Sequence, residues 1–419
     1  MGPRVTKLLS SYCEETMNTN ILIVKVHGGI KKEHIKKIVA DASARSKKNF
    51  DQYGIKITVL FFDEANTSHD CIWMTKEMMC DDTCDGNEVK AIKQYGLRIA
   101  VACNPYLKHT KERIKRMECA GLGYHNKVLD NGKVPLRHLV YRVHKLPSSL
   151  HAYIYDFGML SDENEQKYVR LLIERSFKSA EALQNQVSSF QNIIRICQGF
   201  MRGRRDEKSF VSLRDVERFL QVFHFFFHQL TRGNLCLQLE KVGDEMLGEE
   251  DKKEIVLRRS TIYALGVAYY LSLNSENRDL FIRALQSESD QIKVLIGNTS
   301  NDFKNELNTV MKIFVDQFDD QIQKKSIAKN AALTENTFLM VICAELRIPL
   351  FVVGKPGMSK SLSRTLVQDA MKGEDSASNL FKEFKQQKHI SYQCSPLSTS
   401  EVRPKLFINF FFSSSIMHH

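Results

Sequence analysis

Val59-Leu-Phe-Phe-Asp-Glu-Ala-Asn66 is the stretch on which the fold turns. Its apolar run predicts a buried strand, and the acidic pair that closes it would stand at the carboxyl edge of a parallel sheet. Asp63 there suits the water shell of a magnesium ion, and Glu64 suits orienting or deprotonating an attacking water. Two acids that merely open a polar loop are the competing reading. Against it stands Leu97 to Ala102, a further apolar run that ends in Cys103-Asn104-Pro105. An asparagine on a neighbouring strand can hydrogen-bond a γ-phosphate or the lytic water, so two polar tips converge on one place.

Outward from this stretch, strand and helix alternate. Residues 20–27 form a β-branched run closed by Gly28-Gly29, and Lys31 to Lys48 places Ile35, Ile38, Val39 and Ala42 at helical spacing. Ile57 to Phe62 reads as the second strand, Trp73 to Met79 as the helix after it, and Leu97 to Ala102 as the third strand. Leu139 to Val143 is expected as one more. Continuous apolar strands separated by helices predict a parallel sheet covered on both faces.

From Ser161 the pattern becomes helical. Ser212 caps a helix carrying Val216, Phe219, Leu220, Phe223 and Phe226, whose aromatic stripe is expected to be packed core rather than a membrane or partner surface. Leu257 to Leu273 and Leu307 to Phe318 are candidate long helices, in a stretch free of chemical motifs. Arg214, in Ser212-Leu-Arg-Asp215, is a candidate nucleotide contact and equally an exposed arginine of a first helical turn.

The second chemical motif comes late. Leu350 to Val353, expected as a strand, runs into Gly354-Lys355-Pro356-Gly357-Met358-Ser359-Lys360-Ser361-Leu362, with Leu362 to Met371 as the following helix. The loop matches the phosphate-binding pattern G-x-x-x-x-G-K-[ST] except that Ser359 replaces the second glycine. Backbone N–H groups and the positive end of the next helix would cradle phosphates, Lys360 would reach the β- and γ-phosphates, and Ser361 would coordinate magnesium. ATP and Mg2+ are therefore the expected ligands. In a single nucleotide-hydrolysing domain the phosphate loop precedes the acidic strand. Here it follows, so the chain is expected to hold two incomplete sites.

Composition narrows the alternatives. With 419 residues and 43% hydrophobic content the chain has room for several domains and a core. The net charge of +11 is spread through helical stretches, and no aromatic-plus-basic platform points to a nucleic-acid site. Ten cysteines lie singly, apart from Cys80 and Cys84, and fit reduced cytosolic thiols better than a zinc site. A signal segment and a membrane-spanning run are both absent, so a soluble cytoplasmic protein is expected. A DEAD-box helicase reading of Asp63-Glu-Ala-Asn66 fails, because Ala102-Cys-Asn-Pro105 stands where a Ser-Ala-Thr element belongs.

An acidic strand, an Asn-tipped strand, a helical region with Ser-x-Arg-Asp and a later phosphate loop resemble tandem AAA+ modules, an arrangement shared by dynein heavy chain and midasin. Lys25-Val-His-Gly-Gly29, Val59 to Thr67, Ala102-Cys-Asn-Pro-Tyr106 with Lys108-His-Thr110, Ala120-Gly-Leu-Gly-Tyr124, and Gly354 to Leu362 resemble more specifically the mysterin-like giant RING-finger E3 ubiquitin ligases. The resemblance implies an α/β P-loop NTPase (AAA+) fold over residues 1–160, lacking its own phosphate loop, which would have stood just before residue 1. A helical lid over 161–235, a mostly helical linker module over 236–345 and the start of a second AAA+ module over 346–400 follow. Residues 401–419 read as an aberrant or disordered tail.

By the same resemblance Asp63, Glu64 and Asn104 are the acidic-strand and sensor residues, and Lys360 and Ser361 the phosphate-loop residues. The partners implied are the remaining AAA+ modules of a parent chain, ubiquitin-pathway enzymes and lipid droplets. RING and zinc-containing ligase regions are missing from these 419 residues. Ubiquitin transfer is therefore expected of the parent rather than of this chain, whose alternative role is a non-catalytic scaffold. An arginine finger is expected among Arg113, Arg116, Arg137 and Arg142, with Arg137 preferred.

Overall fold

Three apolar runs become the strands of one parallel sheet in the computed structural model. It describes residues 19–391 apart from 113, 116–134, 157, 159, 179, 205–210, 234, 236–238, 240–248, 289, 325–326 and 355. The described residues fall into two compact units, one ending at Gly158 and the other within Met159–Tyr392. The expected tail, residues 401–419, and the Ala120 to Tyr124 motif lie outside the described residues.

In the first unit β1 (Thr19–Lys25), α1 (Lys32–Tyr53), β2 (Ile57–Asp63), α2 (His69–Cys80), the small hairpin β3 (Thr83–Cys84) and β4 (Asn87–Glu88), α3 (Lys90–Gln94) and β5 (Leu97–Val101) follow in order. The sheet runs β1-β2-β5, all parallel, with Leu22 opposite Leu60 and Leu60 opposite Ile99. Parallel neighbours need crossover helices, and α1 and α2 supply them. Gly96, at φ +66, lets β5 start against β2; a Cβ there would lie 2.0 Å from the Lys56 carbonyl oxygen.

The sheet corrects one expectation. Thr58, Leu60 and Phe62 are buried, and the two apolar ones join Ile35, Val39 and Ala42 of α1 and Cys71, Ile72, Met74 and Met78 of α2 in one core. Val59 and Phe61 on the other face are only half-buried, and Ile23 and Ile57 are exposed. Both long helices of this unit thus serve one face, and burial alternates along β2 instead of being continuous. A second correction concerns Leu139 to Val143. This segment forms no strand; Leu139 makes a single antiparallel bridge to Lys108, and Val140 donates to the Leu107 carbonyl at 2.8 Å.

The second unit is helical: α4 (Asp162–Phe177), α5 (Glu181–Gln184), α6 (Val187–Arg202), α7 (Leu213–Arg232), α8 (Glu249–Ala268), α9 (Ser275–Gln286), α10 (Asp290–Ile296), α11 (Ser300–Asp316), α12 (Asp319–Lys324), α13 (Ala331–Glu345), α14 (Lys360–Ala370) and α15 (Asn379–Lys382). Ser212 caps α7 as expected, within a capping box completed by Asp215. The aromatic stripe is core: Phe219, Phe223 and Phe226 are fully buried, with Phe190 set edge-on to Phe223 at 4.8 Å between ring centres.

That core does not stop at the boundaries drawn from sequence. Phe226 of α7 meets Tyr263 of α8 at 5.0 Å and Phe338 of α13 at 6.2 Å, and Phe225 meets Phe384 at 5.6 Å. Residues from α4 through α15 share one continuous cluster. No described helix is long and apolar enough to cross a membrane.

Leu350 to Val353 corrects a third expectation. The segment is not a strand, and only Val352 is half-buried, with Phe351 91% and Val353 76% exposed. Strand preference expresses itself only where a neighbouring strand supplies ladder partners, and no described strand pairs with this segment.

Candidate functional site

Asp63 is the last residue of β2, and its carbonyl accepts the Val26 N–H at 2.9 Å. The chain then turns sharply: Glu64 has φ 58 and ψ 36, and Ala65 to Thr67 form a single 3-10 turn. A non-glycine residue in this left-handed region persists only where its surroundings hold it. Here Ala65 N–H donates to the Ala102 carbonyl at 3.0 Å, and Thr67 Oγ1 donates to the Glu64 carbonyl at 2.8 Å. The turn leaves the Glu64 side chain exposed and Asp63 half-buried.

Asn104 follows β5 on the neighbouring strand and is half-buried. The side chain of Asn66 reaches it, donating from Nδ2 to the Asn104 carbonyl at 2.7 Å and accepting the Asn104 N–H on Oδ1 at 3.1 Å. Asp63, Glu64 and Asn104 are thereby brought to the carboxyl edge of adjacent parallel strands, where α/β sheets bind ligands. The sequence assigns Asn66 no role; its one signal is an amide side chain two positions after Glu64. Cys71, beneath this edge, is fully buried, and burial pushes its thiol up to about 11, which keeps it neutral.

The arginine candidates separate. Arg113 and Arg116 lie outside the described residues. Arg137 sits in a 3-10 turn, Leu136–His138, and Arg142 has φ 51. Arg214 belongs to the second unit, in the first turn of α7, where its N–H donates to Ser212 Oγ at 3.3 Å and its side chain is exposed.

The Gly354 to Leu362 loop lies in the second unit. Pro356-Gly357 makes a turn with Gly357 at φ +84, and Lys355 lies outside the described residues. Ser359, where the pattern has glycine, adopts φ 54 and ψ 12 and forms the N-terminal boundary of α14 without a capping side chain. The first-turn N–H groups of α14 are thus not met by the side chain at that boundary, an arrangement that suits an anion. Lys360 Nζ donates to the Gly354 carbonyl at 2.6 Å, folding the lysine over the loop. Asn336 of α13 donates to the Met358 carbonyl at 3.0 Å, a support the sequence did not announce. Ser361 is exposed in the first turn.

Left-handed backbone disfavours β-branched residues most and glycine least. Ser359→Gly is therefore expected to keep or raise the thermal midpoint of the chain, and Ser359→Val to lower it by a few degrees. Equal losses in both variants would show that the loop is not held in this conformation.

The comparisons bear on both ends of the chain. One RNF213 AAA domain family model matches residues 2–107, which contain Asp63, Glu64 and Asn104, and another matches 326–411, which contain the Gly354 loop. The E3 ubiquitin-protein ligase RNF213 of Homo sapiens is 40% identical over 405 residues, 95% of this chain and 8% of that protein. The chain is an RNF213-like AAA segment. The E3 ubiquitin-protein ligase rnf213-beta of Danio rerio is 40% identical over 392 residues, and RNF213 of Mus musculus 38% over 410. The chain spans less than a tenth of the length of these RNF213 relatives and corresponds to their AAA region. The AAA+ α/β fold and the mysterin-like resemblance read from the sequence are borne out.

Proposed function

We propose that this chain supplies parts of two ATP sites to the AAA+ motor of an RNF213-type E3 ubiquitin ligase. The observation that carries the reading is the division of labour between the units. One holds two acids and an asparagine on adjacent strand tips, and the other holds a lysine-bearing loop at a helix start that its boundary side chain leaves uncapped.

In the first half-site Glu64 accepts the proton of the attacking water, and Asn104 hydrogen-bonds that water or the γ-phosphate. In the second, the backbone of Gly354 to Leu362 surrounds the phosphates and Lys360 leaves the Gly354 carbonyl for the β- and γ-phosphate oxygens. Arg214 contacts nucleotide from the helical region. Each half-site offers an oxygen ligand that fits magnesium, Asp63 through water in the first and Ser361 directly in the second; such an ion would neutralise charge on the phosphate oxygens. Cytosolic location, lipid-droplet association and work with ubiquitin-pathway enzymes belong to the parent protein in this reading.

The same division favours a second reading of the chain by itself, as a scaffold that grips nucleotide without turning it over. Purified 1–419 is expected to bind ATP, to show no steady turnover, and to lose about tenfold or more in affinity on Lys360→Ala, as one charge-assisted contact is worth about 1.5–3 kcal/mol. Calorimetric titration and phosphate release decide it. ATP affinity unaffected by Lys360→Ala would remove the phosphate-loop role.

A further inference from the structure

The Asn66 amide closes a two-bond ring on one backbone residue: Nδ2 donates to the Asn104 carbonyl at 2.7 Å while Oδ1 accepts the Asn104 N–H at 3.1 Å. Asn66 is 1% exposed. Its own carbonyl accepts the His144 N–H at 2.7 Å, so three segments meet at this residue. Two residues before it stands Glu64, in a backbone conformation that needs restraint from outside.

Other side chains do not reproduce this ring. Aspartate keeps the acceptor for the Asn104 N–H but turns an oxygen toward the Asn104 carbonyl. Serine is too short to reach both groups. Alanine leaves a donor and an acceptor without partners in a partly buried place, where such groups are expensive.

We propose that Asn66 is a positioning residue that ties the loop after β5 to the turn after β2, holding Asn104 and Glu64 at a fixed separation for ATP hydrolysis. The proposal rests on the hydrolytic reading of Asp63, Glu64 and Asn104. Asn66 touches neither nucleotide nor water in this role. It acts through the backbone of Asn104 and through the turn that carries Glu64. Its removal therefore lowers the rate of the chemical step and leaves nucleotide affinity nearly unchanged.

Two measurements test this. In the purified chain, amide hydrogen exchange at Asn104 is expected to accelerate about tenfold or more in Asn66→Ala, since both hydrogen bonds that hold this residue are lost. In the full-length protein, the part of ATP turnover that Glu64→Gln removes defines this site. Asn66→Ala is expected to lower that part about tenfold in kcat, with KM for ATP within about twofold. Asn66→Ser, uncharged and able to reach at most one of the two groups, is expected to fall between Asn66→Ala and the unaltered protein in both readouts, and it carries the test if Asn66→Ala loses cooperative unfolding.

Unchanged exchange at Asn104 in Asn66→Ala overturns the proposal. So does full turnover in Asn66→Ala beside an inactive Glu64→Gln, which leaves the hydrolytic reading standing. Unchanged turnover in Glu64→Gln overturns the hydrolytic reading and the positioning role with it.

Discussion

Replacing Glu64 with glutamine in the full-length protein is expected to lower ATP turnover at this module by about 10²- to 10⁴-fold, the range associated with losing a general base. The size of the effect follows from what the substitution changes. Glutamine has nearly the volume of glutamate, so the turn at φ 58 and the hydrogen bonds to Ala102 and Thr67 remain. Only the ability to accept a proton is lost. ATP affinity should stay within about twofold, because Glu64 meets the water rather than the phosphates in the ground state. Trapping of ATP without hydrolysis, followed by filter binding and phosphate release, separates the two quantities. Equal loss of binding and turnover would mean that Glu64 holds nucleotide instead of activating water, and unchanged turnover would remove it from the chemistry.

The second large effect concerns folding. Phe226→Ala is expected to destabilise the second unit by about 3–5 kcal/mol, the cost of emptying an aromatic site in a packed core. Phe226 is fully buried and its ring meets Tyr263 of α8 and Phe338 of α13, so the cavity would open between three helices at once. For a unit of this size each kcal/mol moves the midpoint by about 2–4 °C, which places the shift near 10 °C. Thermal unfolding followed by circular dichroism measures it. The first unit has its own core, and the limited proteolysis pattern of residues 19–158 should be unaffected. A loss restricted to α7, with α8 and α13 still protected from exchange, would contradict a shared core.

Several elements are legible in the sequence itself. The apolar runs at 20–27, 57–62 and 97–102 are strands within two or three residues of the expected limits, and Ser212 starts its helix. Asp63, Glu64 and Asn104 fall on adjacent strand tips because side-chain spacing and strand length place the last residues of parallel strands at one edge. Leu350 to Val353 and Leu139 to Val143 depart from the strands their composition predicts, because local apolar, β-branched composition carries no information about whether a pairing partner is present. The substituted glycine at 359 could be counted in the sequence, but its left-handed backbone could not.

By itself, then, the sequence determined what is local or periodic: the βαβ order, the helix caps, the acidic and asparagine tips, the phosphate-loop pattern and the RNF213-like resemblance these carry. The tertiary structure decided what depends on residues far apart in the chain. It closed the Asn66 amide on Asn104 across 38 positions, gathered 169–384 into one core where composition suggested three regions, and left one sheet face half-covered. The reason is physical: periodicity records which side of an element turns away from water, whereas hydrogen-bond closure and packing depend on which surface meets it.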